Sequence, residues 1–339
     1  MGHTGKWKCA LGASILLGLG ACGDSGSAQG ADAGPNDAPN PYRLDEGWAK
    51  TALGRNFGST ISIGIEPDGE SIWVYDRCGG FSCTRSQIAP LQKFDAEGNL
   101  IAAIGVGLTN YPHGLYIDDD GNIWITDATE QEDNGQGHTV RKLSPSGEVL
   151  MTLGTPGEAG EDENHFNRPS AVAIGLNGEI YVGDGHGGDS NARVVMFDAE
   201  GNFVKTWGEL GSGPGEFDQP HTMAVDSTGR LFVGDRANSR IQIFDAEGNF
   251  LEEWRQFGRP SGVFIDDNDM IYVADSQSDE TINPGFAQGI RIGSVTDGIV
   301  TEFIQGPDME GTPEGVAADA AGNVYVGYTG GTAFKRFVK

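Results

Sequence analysis

The chain has 339 residues, 54 of them glycine, and a formal net charge of -27. This acidity excludes nucleic acid as an expected partner, because binding phosphates requires a basic patch. Abundant glycine without a long helical pattern of apolar residues favours short strands joined by tight turns.

The first element in chain order is an export signal. Lys6 and Lys8 precede a short apolar and glycine-rich run, which is too short to span a membrane. The run ends in a Leu-Gly-Ala-Cys sequence that resembles the bacterial lipobox. We therefore predict a lipoprotein signal peptide over residues 1–21 and a lipid anchor on Cys22.

A tether is predicted to follow the anchor. Residues 22–44 are rich in small and polar side chains, so they are expected to form a flexible linker. The chain is then expected to be exported and lipid-anchored to the bacterial cell envelope. Gly23 follows the anchor where an aspartate would favour inner-membrane retention, so the outer membrane is the predicted location.

Residues 45–339 contain a repeated unit. The sequence Phe-Asp-Ala-Glu-Gly-Asn occurs from Phe94, Phe197 and Phe244, each time flanked by alternating apolar residues. This pattern predicts a hairpin, and a second hairpin with a strand ending in Asp precedes each copy. Two hairpins form a four-stranded blade, so the repeat predicts an all-β, six-bladed propeller.

The predicted blades begin near Ile61, His113, Ser170, His221, Ser261 and Glu314. The last blade has enough chain for about three strands. The segment from Trp48 to Leu53 is expected to supply the fourth strand and close the ring. The recurring Asp at strand ends is interpreted as structural.

A metal site is predicted on the propeller axis. His113, His221 and Glu314 occupy equivalent positions in blades two, four and six, about 120° apart, so their side chains should converge. Two imidazoles and a carboxylate form a donor set for zinc or another divalent transition metal.

Two arginines are predicted to face this metal. Arg77 and Arg236 follow the strand-ending Asp in blades one and four, and a guanidinium suits a carboxylate. Structural salt bridges with Asp76 and Asp235 are the alternative. His186 is predicted to reach the same space as a general base.

Cys78 and Cys83 are the cysteines left in the predicted mature body. We expect them to form a disulfide in an oxidising compartment, and a two-thiol metal site is the alternative.

The repeats resemble NHL-repeat propellers, and the axial residues resemble one branch of them, the peptidyl-α-hydroxyglycine α-amidating lyases. The resemblance rests on Pro112-His113-Gly114-Leu115, on Pro220-His221, on Tyr75-Asp76-Arg77 and on Gly234-Asp235-Arg236-Ala237-Asn238. It implies an axial zinc held through His113 and His221, catalytic roles for Arg77 and Arg236, and release of glyoxylate and a peptide amide.

The chain departs from this pattern at three positions. Glu314 replaces the third zinc histidine, and His186 replaces the catalytic tyrosine. The resemblance also implies a calcium ion bound by backbone carbonyls at Ile63 and Leu115, but its aspartate is Gly315 here. Calcium is therefore the weaker cofactor expectation.

Three functions remain open from the sequence. A metal-dependent lyase acting on a small anionic or peptide substrate with a carboxylate is the leading hypothesis. A non-catalytic surface binding module and a gluconolactonase-like hydrolase are the alternatives. We expect a monomer held at the membrane by its lipid anchor.

Overall fold

The structure is a computed structural model that describes residues 1–2, 34–52, 54–129, 134–306, 309, 311–330 and 334–339. Cys22 and all but the first two residues of the predicted signal peptide lie outside these residues. Within the described ranges, no helix is both long and apolar enough to cross a bilayer.

The described strands form six antiparallel sheets of four strands each, which confirms the predicted six-bladed propeller. Blade one contains β2 (Thr60–Ile65), β3 (Ile72–Asp76), β4 (Leu91–Phe94) and β5 (Leu100–Ile104). Blade two contains β6 (Pro112–Ile117), β7 (Ile123–Asp127), β8 (Thr139–Leu143) and β9 (Val149–Leu153). Blade three contains β10 (Pro169–Ile174), β11 (Ile180–Asp184), β12 (Arg193–Phe197) and β13 (Phe203–Trp207).

Blade four contains β14 (Pro220–Val225), β15 (Leu231–Asp235), β16 (Arg240–Phe244) and β17 (Phe250–Trp254). Blade five contains β18 (Pro260–Ile265), β19 (Met270–Asp275), β20 (Gly289–Ser294) and β21 (Val300–Ile304). Blade six contains β22 (Thr312–Ala318), β23 (Val324–Thr329), β24 (Phe334–Val338) and β1 (Arg43–Asp45).

The core lies between the blades. The first strand of every blade contacts the first strand of its neighbours, and β22 contacts β2, so the ring is closed. Each apolar cluster combines residues of two adjacent blades, as where Tyr181 of blade three packs with Phe244 of blade four. Strands β3, β7, β11 and β15 are buried along their whole length, because each lies inside a sheet whose two faces are covered by neighbouring blades.

The closing strand differs from the predicted one. Strand β1 pairs with β24, with Arg43 opposite Val338, whereas the predicted segment began at Trp48. Trp48 instead buries its indole against Tyr325 and Phe94. Strand β1 lacks the apolar alternation of the other strands. The prediction relied on the large aromatic residue Trp48 and therefore named the wrong segment.

Part of the predicted linker, residues 34–44, contacts the propeller. The compact unit that holds the propeller begins at Gly34. The Asn36 side chain hydrogen-bonds to the backbone of Gly285 and Ala287, and the Phe303 amide donates to the Pro39 carbonyl. Residues 34–44 therefore pack on blades five and six because their polar groups find backbone partners there.

The recurring Asp that ends the second strand of blades one to five holds the turn before its own blade, as interpreted from the sequence. Asp127, for example, accepts hydrogen bonds from the Asn110 and Tyr111 amides. Four of these buried aspartates are also paired with arginines, in Arg55–Asp76, Arg193–Asp184, Arg240–Asp235 and Arg291–Asp275. These networks tie the outer hairpin of a blade to the segment that enters its inner strand.

Candidate metal centre

The ring residues lie where each inner strand begins. In blades two and four the pairing register shifts directly after Pro112 and Pro220, so His113 and His221 fall at a bulge. A bulge turns a side chain out of the regular ladder, here toward the axis. A Cβ on Gly114 would lie 2.8 Å from the Ser170 carbonyl oxygen, so glycine after His113 lets neighbouring inner strands approach closely.

His113 and His221 are held by backbone carbonyls of the next blade. His113 Nδ1 lies 2.7 Å from the Ser170 oxygen, and His221 Nδ1 lies 2.8 Å from the Ser261 oxygen. Because a carbonyl oxygen only accepts, each Nδ1 carries the proton and each Nε2 keeps its lone pair. A metal-binding histidine is oriented in the same way by its second nitrogen.

Both Nε2 atoms are buried and make no hydrogen bond within the described structure, although Glu314 Oε1 lies 3.2 Å from that of His221. The two rings meet edge to face, at 79°, with centroids 4.6 Å apart. Buried polar atoms are normally satisfied, so two unsatisfied imidazole nitrogens aimed at one space fit a transition metal such as zinc.

His186 joins this pair. Its ring centroid lies 4.4 Å from that of His113 and 5.0 Å from that of His221. One potential ligand atom from each of the three residues lies within 4.8 Å of the other two. The structure thus places His186 directly beside the predicted metal ligands. The register of the repeat does not predict this proximity.

Glu314 lies at the edge of the cluster. Its Oε1 is 3.2 Å from His221 Nε2 and 3.5 Å from Arg236 Nη1, and its Oε2 accepts from the Thr329 hydroxyl. Burial raises the pKa of the Glu314 carboxyl, while Arg236 and Arg77 oppose that rise. The carboxylate therefore links the histidines to the arginines.

The imidazoles are held in the form that binds metals. Burial lowers the pKa of His113 and His221 well below the ordinary value. Burial, helped by Arg236 and Arg77, lowers the pKa of His186 to about 3. All three rings are neutral near pH 7, so no bound proton competes with a metal.

Arg77 and Arg236 are buried beside this cluster. The Arg77 guanidinium lies 3.6 Å above the Tyr111 ring, and Arg236 donates to the Gln219 amide oxygen. Among the described residues, neither Arg77 nor Arg236 forms the alternative salt bridge with Asp76 or Asp235, and Arg236 pairs with Glu314 instead. The carboxylate next to each of them in sequence is taken by another arginine, in Arg55–Asp76 and Arg240–Asp235.

A small cavity opens beside His186. It measures about 210 Å³ and is lined by Tyr111, Ala128, Thr129, Arg168 and His186. Sequence reasoning missed Tyr111, Arg168 and Gln219. They share one signal, since each directly precedes the proline that opens a blade, so the same register argument could have found them.

A larger cavity of about 350 Å³ is lined by His113 and His221. Ile63 and Leu115, the predicted calcium positions, line it together with Gly315. A Cβ at Gly315 would lie 2.6 Å from the Ile61 carbonyl oxygen, so this packing leaves no space for a carboxylate there. Calcium stays a prediction without that ligand.

The predicted disulfide between Cys78 and Cys83 is present. It closes the loop that follows Arg77, and the Cys83 amide donates to the Asn110 carbonyl of blade two. The bond thus braces the backbone next to one of the two arginines.

Replacing Cys78 and Cys83 together by serine is expected to lower the free energy of unfolding by about 2 kcal/mol, because the unfolded chain regains the entropy of a small loop. Urea titration of both proteins under oxidising conditions measures the difference. The wild type under reducing conditions is the control and should match the variant. Equal midpoints for oxidised wild type and variant would contradict the expectation.

Comparison with known proteins agrees with this architecture. A profile described as a 6-bladed beta-propeller matches residues 159–281, and an NHL repeat profile matches residues 109–131. NHL repeat-containing protein 3 of Mus musculus is 30% identical over 202 residues, covering 58% of this chain and 54% of that protein. A probable peptidyl-alpha-hydroxyglycine alpha-amidating lyase of Caenorhabditis elegans is 36% identical over 144 residues, covering 41% and 38%. The chain thus contains an NHL repeat within a six-bladed propeller, and part of it is homologous to the amidating lyases.

The matched stretch of the NHL-repeat propeller spans about half the length of the first relative and less of the second. Among solved structures, a gluconolactonase from Xanthomonas campestris aligns with a TM-score of 0.59 at 14% identity. That alignment covers 92% of this chain and 98% of the gluconolactonase, and it shows a shared fold alone.

Proposed function

We propose that the protein is a metal-dependent lyase that cleaves peptides ending in α-hydroxyglycine into a peptide amide and glyoxylate. The observation that carries the proposal is one cluster of three neutral imidazoles next to two buried arginines. The homology to amidating lyases supports the same chemistry.

Arg77 and Arg236 would bind the substrate carboxylate. Burial lowers the pKa of both guanidinium groups, yet arginine keeps its charge near neutral pH. Arg168 lines the adjacent cavity and adds a third cation there. In a chain of net charge -27, such a group of cations favours an anionic substrate over a neutral one.

The reaction is balanced without an oxidant. The substrate hydroxyl loses its proton, its carbon becomes the aldehyde of glyoxylate, the C–N bond breaks, and the amide nitrogen takes up a proton.

His113 and His221, with the neighbouring donors His186 and Glu314, would hold the metal. A bound zinc ion lowers the pKa of a coordinated hydroxyl and polarises its oxygen.

The proposal is tested with the full chain, zinc and a peptide ending in α-hydroxyglycine. We expect glyoxylate and peptide amide in equal amounts, loss of both products after chelation, and recovery when zinc is restored. The same peptide ending in glycine is the control and should give no product. A zinc-loaded protein that releases no glyoxylate would rule out this reaction.

A binding module is the second candidate, supported by one comparison. A relative that matches 58% of this chain is named for its NHL repeats and not for a reaction. In that case a carboxylate-bearing peptide would bind at the same arginines and leave unchanged. Calorimetric binding of the peptide without turnover would favour this candidate, whereas turnover of a lactone would favour a hydrolase.

A further inference from the structure

We infer that His186 is the third metal ligand of the axial site, and not the general base that its sequence position predicted. The inference deepens the proposed function and rests on the metal proposed there. It starts from the three ligand atoms that lie within 4.8 Å of one another, one each from His113, His186 and His221.

The three rings surround a common point. The His113 ring meets the His186 ring at 72° and the His221 ring at 79°, and the His186 and His221 rings are tilted by 36° to each other. A zinc–nitrogen bond is about 2.0–2.1 Å long, so small rotations of the rings would bring one nitrogen of each onto a single ion.

The backbone is built to hold His186 over the axis. His186 follows β11 and lies between Gly185, whose φ is 155°, and Gly187, whose φ is 76°. A Cβ on Gly185 would lie 2.0 Å from the Asn191 oxygen, and the Gly185 amide donates to the Arg168 carbonyl. The loop is therefore packed in a conformation that glycine permits, with His186 at its tip toward the other two histidines.

The chemistry of the donor set favours this role over that of Glu314. The Glu314 carboxylate is shared between Arg236 and the Thr329 hydroxyl, so part of its acceptor capacity is already used. Three neutral imidazoles leave the full positive charge on a zinc ion and an open position for substrate. A coordinated imidazole nitrogen has no lone pair left, so His186 would not accept the substrate proton through that atom.

The test uses the full chain and compares wild type with His186→Phe, which keeps an aromatic ring but offers no ligand atom. We expect the zinc Kd to rise roughly 100-fold or more, beyond the loss of an outer-shell partner. X-ray absorption of the zinc-loaded proteins should count three imidazoles in wild type and two in the variant. Visible spectra of the cobalt forms should change in parallel.

His165→Phe is the matched control, because His165 lies outside the cluster and its ring contacts Asp162. It should leave the Kd, the imidazole count and the cobalt spectrum unchanged. Circular dichroism of the metal-free variants checks that the propeller is retained, and His186→Gln repeats the test if His186→Phe does not fold.

The outcomes separate this inference from the proposed function. If wild type binds zinc through two imidazoles, and His186→Phe matches it in affinity and spectrum, His186 is not a ligand while the lyase proposal stands. If wild type binds no transition metal, both are wrong. Zinc binding through three imidazoles with no release of glyoxylate would support the ligand and reject the lyase.

Discussion

Replacing His113 and His221 together by alanine is expected to abolish zinc binding and to lower kcat/KM for glyoxylate release by roughly 1,000-fold or more. Both residues present a buried Nε2 atom without a hydrogen-bond partner among the described residues, and both Nδ1 atoms are fixed by carbonyls. Without them, only His186 and Glu314 remain near the axial point. The lost polarisation of the hydroxyl oxygen would then cost several kcal/mol in the transition state.

Metal content by mass spectrometry and glyoxylate release measure the two effects in the same preparations. His165→Ala is the control, because that imidazole contacts Asp162 outside the cluster. A double variant that keeps stoichiometric zinc and full turnover would place the metal and the reaction elsewhere. Loss of zinc with unchanged turnover would show that the reaction does not depend on this metal.

The second large effect is on stability. Replacing Arg240 by methionine is expected to lower the free energy of unfolding by about 3–5 kcal/mol, because it leaves the buried Asp235 carboxylate without its cation. Arg240 lies 2.9 Å from Asp235 and also donates to the backbone carbonyls of Ser212, Gly213 and Glu216. The variant would lose those bonds as well.

Arg255→Met is the matched control, since Arg255 and Arg240 both contact Glu253. Arg255 is exposed, so breaking its ion pair should cost less than about 1 kcal/mol. Urea unfolding of the three proteins measures both differences. Equal losses for the two arginines would mean that the buried pair with Asp235 adds little to stability.

Most of the fold could be predicted because the sequence repeat specifies the strands and turns of each blade. The Phe-Asp-Ala-Glu-Gly-Asn turns and the strand-ending aspartates recur in step with the blades, so the blade number followed from counting. The axial residues could be found for the same reason, since His113, His221 and Glu314 occupy one position of the repeat. A position that recurs in the sequence of a ring fold recurs around its axis.

The remainder depends on contacts that no repeat encodes. His186 lies on a loop after β11, and its approach to His113 and His221 depends on the backbone at Gly185 and Gly187. The ion-pair partners of the aspartates could not be predicted either, because the arginines that pair with Asp235 and Asp76 lie on other segments of the chain. Strand β1 is short and polar, so periodicity could not locate it.

The pairing of β1 with β24 has a consequence for how the chain folds. Strand β1 can pair only after β24 has been synthesised. Blade six therefore cannot be completed until nearly all of the propeller has been made. Contacts that distant in sequence form slowly, and until they form the partial ring exposes unpaired strand edges that can associate with other chains. A chain interrupted before β24 would therefore be prone to aggregation even though its first five blades are intact.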